Sequence, residues 1–257
     1  MLYREEAGDG PAVVLLHSTV CDSGMWDREF AALAERHRVL RYDFRGYGRS
    51  PLPPGDWSST EDLRGLLDEV GMERPALVGL SGGAATALDF AVVEPGRVRG
   101  LVLAAPAVGG LPWSEDVQRF GEQEDALLEA GDLDGAVELN LRMWVDGPHR
   151  GPDAVDPAVR AKVGEMQRRA FEVQLAAEPG EHARPEPPAV ERLEEVAVPT
   201  LVIVGDADHA DVLERADLLA RRIPGARQVV LPGVAHLVNL ERPEEFLRLV
   251  ADFLDSR

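Results

Sequence analysis

The sequence predicts an α/β protein: a mostly parallel central sheet with helices on both faces and an inserted helical block. Short continuous apolar runs alternate with amphipathic stretches of helical spacing, and Gly or Pro separates them. Between about Pro106 and Val196 the alternation stops and only helical patterning remains; after Val196 it resumes. Unbroken apolar strands separated by helices imply a parallel sheet covered on both faces. The division expected is a core of residues 1–105 and 197–257, with residues 106–196 as a helical cap over the strand ends, where open α/β sheets place their ligands.

Each element has its own justification. Ala12 to Leu16 is a buried-strand run, and Trp26 to Arg36 follows with Trp26, Phe30 and Leu33 at helical spacing. Val39 to Asp43 is the next strand. Ser59 or Thr60 caps a helix that reaches Val70, and Gly71 stops it. Ala76 to Leu80 is a strand, Gly82 to Val93 a small-residue helix, and Val98 to Ala105 a strand. Past the Pro- and Gly-rich hinges, Pro106 to Pro112 and Pro179 to Pro188, come a strand at Thr200 to Val204 and a helix at Val212 to Arg222. A strand at Gln228 to Leu231 and a last helix from Pro243 to Leu254 complete the series.

Composition excludes several functions. The 257 residues are 45% hydrophobic and 28% charged, which suits one large globular domain. The net charge of −19 disfavours nucleic acid and anionic membrane surfaces, both of which demand a basic patch. Cys21 is the single cysteine, so neither an internal disulfide nor a cysteine metal cluster is expected. The N-terminus has no apolar signal core and no run is long enough to span a membrane, so a cytoplasmic protein is expected. No His/Glu or Cys group has metal-ligand spacing, and no cofactor is expected.

Gly79-Leu80-Ser81-Gly82-Gly83 matches G-x-S-x-G between a strand and an Ala-rich helix. That pattern makes a sharp turn that lifts a serine hydroxyl clear of the sheet. A serine nucleophile needs a base. Of six histidines, His37 ends an amphipathic helix and His149 and His182 lie in polar segments, where solvated side chains are expected. His236 follows the strand ending at Leu231 and so reaches the carboxyl edge of the sheet, the same side as Ser81. The base needs a carboxylate to fix its tautomer. Asp208, just past the strand Thr200 to Val204, supplies it. Asp206, Asp208 and Asp211 lack the Gly and Glu positions of a calcium-binding EF-hand loop. The oxyanion donors expected are the backbone N–H groups of Gly82 and, by position in the loop after the first long strand, Thr19.

These residues resemble the α/β-hydrolase family, and the similarity runs through nearly the whole core. Asp43 to Ser50 is similar to its D-x-R-G-x-G-x-S loop, and Gly205 with Asp208 and Gly233 to His236 are similar to its late motifs. The resemblance implies that Asp43 and Arg45 brace loops beside the site. Two positions depart from it. Ser18 follows His17 where the family usually has Gly. Gly82 stands where a larger residue is common, implying a roomier pocket floor. The segment His17 to Trp26 and the compact cap resemble 3-oxoadipate enol-lactonases and small carboxylesterases.

The function expected is hydrolysis of a small-molecule ester or lactone through an acyl-enzyme. C–C bond hydrolysis of a β-diketone-like substrate by the same triad is the alternative, and a non-catalytic ligand-binding member of the fold is a third. Trp144, Trp113 and Met143 are candidate substrate contacts, with Phe120, Phe171 and Met166 as further apolar cap residues. A closed cap of limited pocket volume favours short, neutral acyl esters or small lactones over long-chain triglycerides. Anionic lactones would need Arg142, Arg168 or Arg169 to face Ser81.

Overall fold

The computed structural model describes residues 1–256. Its sheet has seven strands in the order β1-β3-β2-β4-β5-β6-β7. They are β1 (Arg4–Ala7), β2 (Ala12–Leu16), β3 (Arg38–Tyr42), β4 (Ala76–Leu80), β5 (Gly100–Ala104), β6 (Thr200–Gly205) and β7 (Arg227–Leu231). All neighbours run parallel except β1, which pairs antiparallel with β3. β4, β5 and β6 are buried along their whole length, which explains their unbroken apolar character.

β1 escapes the apolar-run criterion because Arg4-Glu5-Glu6-Ala7 is a charged edge strand. Its acids meet arginines of β3. Glu5 accepts from Arg41 Nε at 2.6 Å, and Glu6 accepts from Arg38 Nε at 2.6 Å. Cross-strand charge pairs hold the strand in register, and an edge lined with charge resists pairing with other chains.

Helices α1 (Asp27–Leu33), α2 (Ser59–Val70) and α3 (Gly82–Val93) alternate with the first strands. α1 is shorter than its apolar spacing predicts because a 3₁₀ turn, Ser23–Trp26, precedes it. Ser58, one residue earlier than expected, stands at the N-cap of α2. Gly71 ends that helix at φ 65°, a conformation glycine adopts without a Cβ penalty.

Between β5 and β6 the named elements are all helical: α4 (Glu115–Glu129), α5 (Leu133–Asn140), a π turn (Leu141–Asp146), α6 (Pro157–Leu175) and short 3₁₀ turns. This segment is tied to the sheet domain at several points. Lys162 Nζ donates to Gly24 O at 2.7 Å and to Asp27 at 2.8 Å, Gln174 donates to Gly46 O at 3.2 Å, and Arg169 donates to Gly48 O. Helices α7 (Ala210–Arg222), α8 (Val238–Glu241) and α9 (Pro243–Asp255) complete the fold. Among the described residues, no helix is long and apolar enough to cross a membrane.

Candidate active site

β4 delivers Ser81 directly into α3, and Ser81 adopts φ 57°, ψ −114°. A non-glycine residue at such a φ is strained, and the strain persists only where the surroundings enforce it. Two glycines do so. A Cβ on Gly79 would strike the Gly83 carbonyl, and a Cβ on Gly83 would strike the carbonyls of Leu16 and His17. The strand-to-helix crossing therefore closes only with glycine two residues either side of the serine.

Asp208 and His236 converge from loops after β6 and β7. Asp208 Oδ2 lies 2.8 Å from His236 Nδ1, and Asp208 Oδ1 accepts from the His209 N–H at 2.7 Å. Both side chains are buried. A carboxylate only accepts, so His236 donates from Nδ1 and its Nε2 is left to accept a proton. His236 and Ser81 line one cavity of about 860 Å³, near the upper end of small-molecule sites.

The His236 loop is braced from two sides. Asp206 Oδ1 accepts from Gly233 N at 2.6 Å. Glu241 accepts from Ala235 N at 2.8 Å and from both terminal nitrogens of Arg150, at 2.8 and 3.0 Å. Arg150 belongs to the helical segment, so that segment and the His236 loop are joined by a bidentate ion pair.

On the opposite wall, His17 Nε2 accepts from Phe44 N at 2.9 Å, which leaves Nδ1 to donate to Ser18 O at 2.8 Å. Ser18 is buried while Thr19 faces the cavity. The Thr19 Cγ2 methyl lies 2.5 Å from where a Gly82 Cβ would stand. The roomier floor expected from Gly82 is thus taken up by Thr19. The Gly82 N–H, at the first position of α3, has no intrahelical acceptor and stays available to a ligand. Asp43 accepts from Ser23 N and Arg49 N, both at 2.8 Å, and Arg45 forks onto Asp62 at 2.6 and 2.7 Å. Both residues brace loops.

The apolar wall comes from the helical segment. Trp144 sits 4.8 Å from the His236 ring, with Phe120 and Trp113 edge-on to it. Trp113, Phe120 and Phe171 line the cavity. Met143 is not among the lining residues; it is half-buried and packs on the core, as does buried Met166. Residues 141–146 wind as a π turn. The neighbouring Trp144 takes the cavity-facing place beside His236, and Met143 packs against the core instead.

None of the three arginines considered from the sequence faces Ser81. Arg142 pairs with Glu138, Arg168 with Asp134, and Arg169 with the Gly48 carbonyl. Arg184, in the second hinge, does line the cavity. So does His182, which is exposed as expected and stacks on Trp57 at 4.0 Å. His37 is buried, against expectation. Asp89, a further lining residue, gave no sequence signal beyond its place two turns along α3.

A serine held at a strained turn between a central parallel strand and a helix, beside a buried Asp–His pair, sets the class: an α/β-sheet hydrolase. The chain belongs to the alpha/beta hydrolase family, which it matches over residues 13–249. It is 26% identical over 250 residues to 3-oxoadipate enol-lactonase 1 of Acinetobacter baylyi, covering 96% of this chain and 90% of that one. It is 28% identical over 270 residues to 2-hydroxy-6-oxo-6-phenylhexa-2,4-dienoate hydrolase of Comamonas testosteroni, covering 100% and 92%. The crystal structure of the enol-lactonase from Burkholderia xenovorans LB400 superposes with a TM-score of 0.81 at 28% identity, covering 99% of this chain and 96% of that one. The protein is a hydrolase of this family.

Proposed function

We propose that the protein hydrolyses a small-molecule ester or lactone through an acyl-enzyme formed on Ser81. The observation that carries this reading is the 2.8 Å Asp208–His236 contact facing the same cavity as the strained Ser81. Ser81 Oγ attacks the carbonyl carbon while His236 Nε2 takes its proton. The tetrahedral oxyanion is held by the N–H groups of Gly82 and Thr19. Collapse breaks the acyl–oxygen bond, and His236 returns the proton to the departing alkoxide. A water, deprotonated by His236, then attacks the acyl-enzyme and releases the acid and Ser81. Asp208 holds His236 in the required tautomer and stabilises its charged form.

Residues 106–196 act as the cap in this reading, with Trp113 and Trp144 placing the substrate over Ser81. Cys21 is a buried free thiol, which suits a reducing cytoplasm. Two of the similar proteins are named enol-lactonases and one a hydrolase of a dienoate. The test is product analysis across graded esters, lactones and a β-diketone. An alcohol and an acid, or a hydroxy acid from a lactone, support the proposal. A ketone and an acid released from the diketone alone would replace it with C–C bond hydrolysis.

A further inference from the structure

One stripe of α3 forms the cavity floor. Gly82, Ala85, Thr86 and Asp89 all line the cavity and recur at the three- and four-residue spacing of one helix face. The first three are small, so the stripe is a shallow track that starts at Ser81 and ends at a carboxylate. Asp89 is only 6% exposed, and among the described residues its buried Oδ1 has no hydrogen-bond partner. Asp43 and Asp208 differ, with both oxygens engaged, while Glu29, the other buried carboxylate with unpartnered oxygens, lies away from the cavity. A buried, unsatisfied carboxylate on a side chain that lines a ligand cavity is stabilised by a donor the ligand brings against it.

The surroundings favour a donor over an acceptor. Gln167, which also lines the cavity, is buried with an unpartnered Oε1. Glu124 accepts from Asn140 and adds a second carboxylate to the wall. Arg45 is already engaged by Asp62. Arg184 is exposed at the rim. Burial pushes the Asp89 carboxyl up to about 6, opposed by Arg184. The overall charge of −19 draws cations toward the protein as well.

We propose that the cavity selects substrates whose acyl chain carries a hydrogen-bond donor, best a primary ammonium, at its far end, and that Asp89 receives it. This deepens the ester-hydrolase reading and rests on it. The chain length follows from the helix. Asp89 lies about 10 Å beyond Gly82 along the axis. Its side chain leans back toward the N-terminus. Allowing about 2.8 Å for the hydrogen bond leaves about 7 Å from the acyl carbon to the donor, the reach of a 6-aminohexanoyl chain.

The experiment compares kcat/KM at neutral pH for phenyl 6-aminohexanoate, phenyl hexanoate and the monophenyl ester of adipic acid. The wild type should prefer the ammonium ester over the uncharged one by about tenfold or more. In Asp89→Asn that ratio should fall to near one, a change that general damage to the fold does not produce. The proposal is overturned by a wild-type ratio near one, by a ratio unchanged in Asp89→Asn, or by preference for the adipate ester, which would assign selection to Arg184. The wild-type ratio decides even if the variant does not fold. If none of the esters is cleaved, the ester-hydrolase reading fails separately. Binding is then read from the fluorescence of Trp113 and Trp144. Tighter binding of hexylammonium than of 1-hexanol keeps the Asp89 assignment, and equal binding removes it.

Discussion

The Thr19 methyl lies 2.5 Å from the position a Cβ on Gly82 would occupy, so these two residues, far apart in sequence, fit only as a pair. Both are the oxyanion donors proposed for the substrate carbonyl. Gly82→Ala should lower kcat/KM by about tenfold or more by displacing Thr19. Thr19→Ser removes the methyl and keeps the backbone N–H. The double variant should recover most of the loss, a coupling of about 1 kcal/mol or more in a double-mutant cycle. Additive effects would mean that the two residues do not share the site.

Asp208 and Asp206 sit two residues apart with different partners. Asp208→Asn replaces the acceptor for His236 Nδ1 by an amide that favours the wrong tautomer, and kcat should fall by up to ~10⁴-fold. Asp206→Asn touches only the Gly233 N–H, and its effect should stay within about tenfold. Steady-state kinetics of the two variants rank them, and the reverse order would move the orienting acid to Asp206.

These sites were legible in the sequence to different degrees, for physical reasons. β4, β5 and β6 announce themselves because a strand buried on both faces must be apolar throughout. Ser81, Asp208 and His236 stand out because each follows a strand's carboxyl end, and parallel topology gathers those ends on one side. β1 did not stand out because its stability comes from charge pairs with β3 rather than from burial. The Thr19–Gly82 fit depends on tertiary contact and leaves no local pattern. Met143 packs on the core, and nothing local to the sequence separates it from its cavity-facing neighbour Trp144. Asp89 looks like any solvated acid until the structure shows that it is buried.

Glu29, on α1, gives the fold a pH dependence of defined sign. Burial pushes its carboxyl from 4.5 up to about 7, against smaller opposing pulls from Asn239, Arg28 and Lys162. The folded chain therefore holds this proton more tightly than the unfolded chain. The associated stability is present at low pH and is lost as pH rises through about 7, a contribution of about 3 kcal/mol in order of magnitude. Glu29→Gln removes the titration. Its Tm relative to wild type should rise by roughly 5 °C or more between about pH 5 and pH 8. Parallel Tm–pH curves would show that Glu29 does not titrate in this range.

Intact-mass measurement after reaction with a fluorophosphonate tests directly whether Ser81 is the nucleophile. A single phosphonyl adduct is expected on the wild type, mapping to Ser81 and absent from Ser81→Ala, with kcat for ester hydrolysis in that variant down by ~10³-fold or more. An adduct that persists in Ser81→Ala, together with retained esterase activity, would contradict it.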